Sequence, residues 1–578
     1  MRFTSLFLRP LLLCWLLFAL LVLTLDVQSL WWDEGISLHL ATSPWMAVIR
    51  DRAANIHPPL YFFALNIWVS LVGSTPFAAR YASALAAALL PATAYRFLGR
   101  RIGRRAGGCA ALLLALAPPF FIYGQEVRAY AFLPLLALAL LAQIWPAQPK
   151  AGQKHWLFSL RLALIQAALC LSHYIGMVAV VCANVALLAL WAQGRERRPW
   201  SRWAGAQFLT ALLLAPWAWA VWRAGASGLR SQAGLGNVLS QPVPADYFLK
   251  LVGIFHLVGL PTALTDPLLL RLATLAGGLT ALALLCLWLF PHKGQPSSIG
   301  GLLLAWLAPL SVAPLLWMLS PQAHPRYLLP FVLGLWLLWA ALITAPSIPR
   351  LLRAALLAAV LVTGLLGLRA YLTEPRYARS DVRAVAAFVR DQARAGDVVL
   401  IPHTDWSLAH YDLGAAAWAM LPPPSHGNEI VAVLARASQS ARHIYALDYQ
   451  RGALDPRGQV GALLEAGGMR QKVHAFNGVL LYEYALLAPV RVPSWGTLPP
   501  ACVESGALCL THAAIQERPE SGAALPFILR WRGGPVGSRY ALAMRLTAPS
   551  GALVAAEDAL LLNRASRPTD LWHLRVYH

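Results

Sequence analysis

Residues 29–40 read SLWWDEGISLHL. Two tryptophans and two adjacent carboxylates, Asp33 and Glu34, follow directly on an apolar run that ends near residue 25. Acids at the end of such a run stand at a membrane surface, where a charge costs free energy unless it is hydrated, paired or used. The whole chain fits that setting. Of 578 residues, 58% are hydrophobic and only 12% are charged, which is too apolar for a soluble protein of this length.

The first 370 residues are Leu/Ala-rich runs of roughly 17–24 residues, enough to cross a hydrocarbon core of about 30 Å. The N-terminal MRFTSLFLRP leads into an apolar run with no small-residue cleavage site after it, so it reads as a retained first helix. Basic clusters mark the cytoplasmic side: Arg96 to Arg105, Lys150 and Lys154, Arg195 to Arg202, His292/Lys293, and Arg350/Arg353. Spans are expected near 10–26, 80–98, 106–123, 130–146, 157–173, 176–193, 204–222, 267–290, 300–319, 328–345 and 352–369. These are about eleven transmembrane helices, an odd number. The expectation is a polytopic α-helical protein of the cell (inner) membrane, with its N-terminus cytoplasmic and residues 370–578 extracytoplasmic. Residues 58–73 and 247–260 are apolar, short and aromatic, and are expected as juxtamembrane helices in the outer interface. The net charge of +22 lies in short clusters between apolar runs. It forms no basic face of a folded domain, so nucleic acid is excluded as a partner.

Only eight acids precede residue 371: Asp26, Asp33, Glu34, Asp51, Glu126, Glu196, Asp246 and Asp266. On this topology all but Glu196 face outward. So do NIHPPLYF (55–62), YGQEVRAY (123–130), SHY (172–174) and HPRYLLP (324–330). Five chain-distant polar segments thus meet one surface, which points to a shared site. Asp33 or Glu34 can serve as general base on an acceptor hydroxyl, with Glu126 as a further acidic candidate. Arg128 and Arg326 suit a phosphate, because guanidinium matches its oxygens in a bidentate fork. His57, Tyr327, Tyr123, Tyr130, His173 and His324 complete the candidate set. Each has a plainer reading. Asp33 can cap a helix, Glu126 and Arg128 can form a structural ion pair, and Arg326 with Tyr327 can be an interfacial anchor. Tryptophans 31, 32 and 45 read as interface anchors. The histidines and acids show no metal-ligand spacing. A divalent cation is left open without a signature, and no other cofactor is implied.

The ordered set WWDEG, then HPPLYF about 25 residues later, then RYASALAAALLPATAYRFLGRRIGRRAG, then YGQEVRAY, closely resembles the bacterial branch of the protein O-mannosyltransferase and aminoarabinose-transferase group. HPRYLLP is similar to the group's Arg-Tyr motif. The resemblance covers residues 25–135 well and is looser to 370. It implies the GT-C membrane fold and a sugar donor carried on a polyprenyl phosphate in the outer leaflet. It implies an extracytoplasmic acceptor, with Asp33 matching the catalytic aspartate and Glu34 its neighbour. The His-Pro-Pro segment maps to His57, Pro58 and Pro59. The aminoarabinose branch has a lysine before the Pro-Pro pair, where this chain has His57.

Beyond Arg369 the composition changes, and 17 of the 25 acids lie there. SDVRAVAAFVRDQARAGDVVLIPH (380–403) reads as an amphipathic helix, a Gly-Asp turn and a strand. RHIYALDY (442–449) and GVLLYEYALL (478–487) read as further strands. The expected division is a membrane catalytic domain at 1–369, an α/β domain at 370–494 and a β-rich, sandwich-like domain at 495–578. Five cysteines (14, 109, 170, 182, 286) read as packing residues. Cys502 and Cys509 are close enough to form a disulfide if that region is extracytoplasmic, with two free thiols as the alternative. Two rival functions are a lipid-glycan flippase, expected to need polar residues near the bilayer midplane, and a non-catalytic envelope assembly protein.

Overall fold

A computed structural model describes residues 4–55, 57–144, 155–192, 200–224, 257–259, 266–289, 325–422, 427–449 and 459–490, together with the strands at 495–503, 508–515, 525–533, 541–547, 553–560 and 572–576. The chain divides into two compact units. One holds residues 1–28 and 37–378; the other holds residues 29–36 and 379–578.

The first unit is helical. Its N-terminal helix α1 spans Thr4–Thr24 and is followed by α2 (Trp32–Ala41), of which residues 32–36 belong to the second unit, then α3 (Trp45–Ala53), α4 (Leu60–Val72) and α5 (Pro76–Arg101). The start of α5 is set by Thr75, whose hydroxyl accepts from the Ala78 N–H at 3.2 Å. Pro76 follows, with no N–H to leave unsatisfied. Arg100 and Arg101 end the helix, where cations favour the carbonyl terminus.

The span expected at 106–123 is instead two helices, α6 (Arg104–Ala115) and α7 (Pro118–Tyr123). Pro118 and Pro119 lack the N–H groups a continuous helix needs, and a proline holds the residue before it extended. Ala117 is accordingly extended, at φ −80 and ψ 111. Gly107 lets α6 approach α5 closely. A Cβ there would lie 2.6 Å from the Tyr95 carbonyl oxygen and 3.0 Å from the Gly99 Cα.

The remaining apolar helices are α8 (Phe132–Ile144), α9 (His155–Ser172), α10 (Ile175–Ala192), α11 (Trp200–Arg223) and helices at Pro267–Leu289, Leu329–Thr344 and Arg350–Thr373. Among the described residues, four helices are long and apolar enough to cross a membrane: Trp200–Arg223, Pro267–Leu289, Arg326–Thr344 and Arg350–Thr373. Trp222 and Trp288 each leave 76% of their surface exposed. Such surfaces suit contact with lipid. The segment expected to lie in the interface at 58–73 contains α4. The expected span at 300–319 and most of the segment at 247–260 lie outside the described residues.

Arg80 is fully buried on α5. Its Nη1 donates to the carbonyls of Leu25 at 2.8 Å and Gln28 at 2.7 Å. Carbonyls past the end of a helix lack intrahelical partners, and this guanidinium supplies one where water is excluded.

The second unit contains a five-stranded sheet in the order β2-β1-β3-β5-β4. The strands are β1 (Val398–Ile401), β2 (Ala417–Met420), β3 (His443–Tyr449), β4 (Gly468–Phe476) and β5 (Val479–Leu486). β1 runs parallel to β2 and β3, while β3–β5 and β5–β4 are antiparallel. One face packs on the helix Val382–Gln392 through Val382, Val385 and Val389. The other packs on helices Gly427–Ala437 and Gln459–Gly467 through Ile430, Leu434 and Leu464. Successive strand residues alternate faces, so β1 gives Val399 and Ile401 to one core and Val398 and Leu400 to the other. The strands read at 442–449 and 478–487 are β3 and β5.

Beyond them, β6 (Trp495–Val503), β7 (Leu508–Ile515), β8 (Leu525–Gly533) and β11 (Trp572–Val576) form a four-stranded antiparallel sheet. β9 (Ala541–Thr547) and β10 (Leu553–Leu560) form a two-stranded one. Cys502 and Cys509 are register partners across β6 and β7.

Arg80→Met should lower stability by about 2–5 kcal/mol, because it strips a donor from two enclosed carbonyls. Thermal unfolding of the purified protein in detergent checks this. A variant as stable as the native chain would show that the bonds contribute nothing.

Candidate active site

The tryptophan-acid stretch forms the first turn of α2. Glu34 and Gly35 donate their N–H groups to the Trp31 carbonyl at 2.9 and 3.0 Å. Both carboxylates thus stand at a helix N-terminus, whose partial positive charge favours anions. Successive helix residues point about 100° apart, and the two acids have different environments. Asp33 is half-buried. Glu34 is fully buried and accepts from Arg379 Nη1 at 2.8 Å.

Within the helical unit, four chain-distant segments meet. Arg128 stands just before the short turn Ala129–Ala131, and its Nη2 donates to His57 Nε2 at 2.9 Å. Its Nη1 is 3.5 Å from Ser37 Oγ. His173, between α9 and α10, lies 5.2 Å from the His57 ring, 5.8 Å from Tyr130 and 5.0 Å from Tyr327. The Tyr130 ring carries the guanidiniums of both Arg128, at 5.7 Å, and Arg326, at 5.3 Å. Arg326 also lies 5.8 Å from the Tyr327 ring, on the turn Pro325–Leu328. Tyr123 stands edge-on to Tyr130 at 5.6 Å. Aromatic faces are attractive to cations and hold them without neutralising their charge.

The YGQEVRAY loop is fixed from behind. Gln125 donates to Thr24 Oγ1 and accepts from the Tyr371 hydroxyl. Glu126 is buried beside it. Of the sequence candidates, His57, Arg128, Tyr130, His173, Arg326, Tyr327 and Tyr123 form one cluster. Asp33 and Glu34 belong to the other compact unit, and His324 lies outside the described residues.

Arg52, which sequence reasoning passed over, is buried 5.0 Å over the Phe62 ring and donates from Nε to Asp51 at 2.7 Å. An adjacent Asp-Arg pair reads as an ordinary exposed ion pair, so its burial had no signal. Arg379 was missed because its partner Glu34 is 345 positions away.

Both imidazoles are held neutral. Loss of hydration, then Arg128, His173, Arg52 and Arg326, push His57 well below its ordinary value. Burial, then Arg128 and Arg326, lower His173 to about 3. His57 Nε2 accepts from Arg128, so its proton is on Nδ1. His173 Nδ1 accepts from the Ile175 N–H at 3.1 Å, so its proton is on Nε2. Neither of these N–H groups has a hydrogen-bond partner among the described residues. Two guanidiniums and two donating imidazoles in an aromatic enclosure suit an anion with several acceptor oxygens. Among the described residues there is no group of three or more metal-ligating side chains.

Comparison with known proteins bears on the family and the fold. Residues 56–222 match the family described as Dolichyl-phosphate-mannose-protein mannosyltransferase. That segment includes His57, Arg128 and His173. Among solved structures, the chain is similar to ArnT from Cupriavidus metallidurans bound to undecaprenyl phosphate, with 14% identity and a TM-score of 0.51, covering 82% of this chain and 97% of that one. A weaker likeness, with 11% identity and a TM-score of 0.44, is to the oligosaccharyltransferase AglB from Archaeoglobus fulgidus in complex with an inhibitory peptide and a dolichol-phosphate. It covers 82% of this chain and 74% of that one. No curated protein matches by sequence. The ArnT likeness establishes the fold. The match over residues 56–222 agrees with the resemblance read from the motifs, and that segment is mannosyltransferase-like.

Because both folded-state imidazole values lie below the ordinary 6.5, the unfolded chain takes up protons first as the pH falls. Their contribution to stability is complete above about pH 6.5 and is lost progressively below it. Thermal unfolding from pH 8 to 5 should show that decline, and the double variant His57→Asn/His173→Asn should flatten it. An equally steep decline in the double variant would place the titration elsewhere.

Proposed function

We propose that the chain is an inverting glycosyltransferase that moves a sugar from a polyprenyl-phosphate donor to an extracytoplasmic acceptor. The supporting observation is the cluster of Arg128, Arg326, His57 and His173 around Tyr130, which offers charge and N–H donors to a phosphate. The matched family is named for a lipid-phosphate-mannose donor, and the ArnT structure holds a lipid phosphate. Both support a donor of that chemistry, with a hexose or pentose as the transferred group.

In this reading the acceptor hydroxyl oxygen attacks the anomeric carbon. The bond from that carbon to the phosphate oxygen breaks, and the lipid phosphate leaves with the electron pair. Asp33, half-buried at the N-terminus of α2, takes the acceptor's proton. Arg128 and Arg326 stabilise the charge that grows on the departing phosphate. A single displacement inverts the anomeric centre. Tyr123 and Tyr327 flank this donor site, Glu126 supports its loop, and His324 stays a candidate from the sequence alone.

The topology belongs to the same proposal. About eleven spans, a cytoplasmic N-terminus and an outer-facing site in the inner membrane follow from the basic clusters. Residues 1–369 form the catalytic membrane part. Residues 370–494 and 495–578 form extracytoplasmic α/β and β-rich domains. The rival flippase reading expects polar residues at the bilayer midplane. The clustered polar side chains instead come from turns and helix ends.

The test is release of polyprenyl phosphate from a panel of polyprenyl-phosphate sugars in proteoliposomes with crude envelope as acceptor. Sugar-selective release is expected, and Asp33→Asn should lower turnover by about 10²–10⁴-fold, the usual range for removing a general base. Release undiminished in Asp33→Asn would reject the base. No release from any donor by folded protein would reject the transferase reading.

A further inference from the structure

Residues 29–36 belong to the same compact unit as residues 379–578, not to the helical unit that surrounds them in sequence. Nearly every residue of this stretch is held. Ser29 Oγ accepts from the Arg383 N–H, and the Leu30 N–H donates to the Tyr411 hydroxyl, both at 2.9 Å. The Trp31 ring lies 5.8 Å from the Arg379 guanidinium. Trp32 Nε1 donates to Thr404 Oγ1 at 3.2 Å, and its ring lies 5.5 Å from Tyr449. Glu34 is bonded to Arg379 at 2.8 Å. Gly35 abuts the Trp406–Ser407 backbone so closely that any Cβ would overlap it.

The receiving loop is itself braced. Thr404 has φ +63, a left-handed conformation unusual for a β-branched residue. Asp405 is fully buried and accepts from the Ser407 N–H at 3.0 Å, the Ser407 hydroxyl at 2.5 Å and the Tyr449 hydroxyl at 2.6 Å. Three donors on one carboxylate leave the loop little freedom. Asp33 is the half-exposed acid between two gripped neighbours, Trp32 and Glu34.

We propose that Arg379 is a positioning residue. Through Glu34 it fixes the rotation of the first turn of α2, and hence the direction of the Asp33 carboxylate, while the loop Pro402–Ser407 holds the other flank through Trp32 and Gly35. Glu34 is then an anchor and not a second base. The functional part of this inference rests on Asp33 acting as the base; the anchoring part does not. The first turn of a helix frays readily because its N–H groups lack intrahelical partners. A carboxylate placed there needs a hold of this kind, since a misplacement of about 1 Å costs on the order of 10²-fold in rate.

The test compares Arg379→Gln, Glu34→Gln, their double variant, Arg379→Lys and Thr404→Ala in the full-length protein. Two readouts are used: steady-state kinetics, and hydrogen exchange of the peptide covering residues 29–41. Each single variant of the pair should lower kcat by about 10²-fold with donor KM unchanged, and the double variant should be no worse than either. Arg379→Lys should recover part of the loss, because it keeps the charge. Thr404→Ala removes one half-buried hydroxyl acceptor and tests the second flank. It should lower kcat in the same direction, by less. Exchange of 29–41 should speed up in Arg379→Gln while the membrane helices stay protected. Unchanged exchange there overturns the inference whatever the activity. Faster exchange with Asp33→Asn still active would keep the anchor and reject the base. Turnover abolished by Glu34→Gln but retained in Arg379→Gln would make Glu34 itself a catalytic residue and overturn the proposal.

Discussion

Two guanidiniums share one buried aromatic ring. Arg128 and Arg326 both lie against Tyr130, which is 1% exposed. Like charges held this close repel, and the shared π-face attracts both. The surroundings follow from that repulsion. His57 and His173 are kept neutral, so they add donors without adding charge. Arg52 is compensated by its neighbour Asp51. Gln125 ties the loop before Arg128 to Thr24 and to Tyr371, which limits the ways the cations can move apart.

The acids are organised by a different rule. Asp33 and Glu34 are chemically near-identical neighbours, yet one is half-buried and the other sealed against Arg379. A sealed, paired carboxylate is poorly suited to collecting a proton from a substrate. A half-buried one keeps access to solvent and substrate. The difference in environment, not in residue type, separates the two proposed roles.

Much of this was legible in the residues themselves. Polar motifs at the ends of apolar runs are costly unless they meet, and His57, Arg128, Tyr130, His173, Arg326 and Tyr327 do meet. β3 and β5 were readable from their apolar, β-branched and aromatic runs. The break before Pro118 was available in principle, but hydropathy alone merges α6 and α7 into one span. The count of eleven spans rested on composition, and only four described helices meet the length and hydropathy a span needs on their own. Arg80 stood inside a quoted motif but, like Arg52, showed no sign of its burial, because an arginine in a loop or helix reads as solvated until its carbonyl, ring or carboxylate partners are known. The Glu34–Arg379 pair joins positions too far apart in the chain for any local pattern to show it.

The most direct measurement is an experimental structure of the protein with undecaprenyl phosphate added. The account predicts phosphate density within hydrogen-bonding distance of Arg128 and Arg326, with the His57 Nδ1–H or His173 Nε2–H turned toward an oxygen. Phosphate bound elsewhere, with the Tyr130 cluster unchanged, would contradict it.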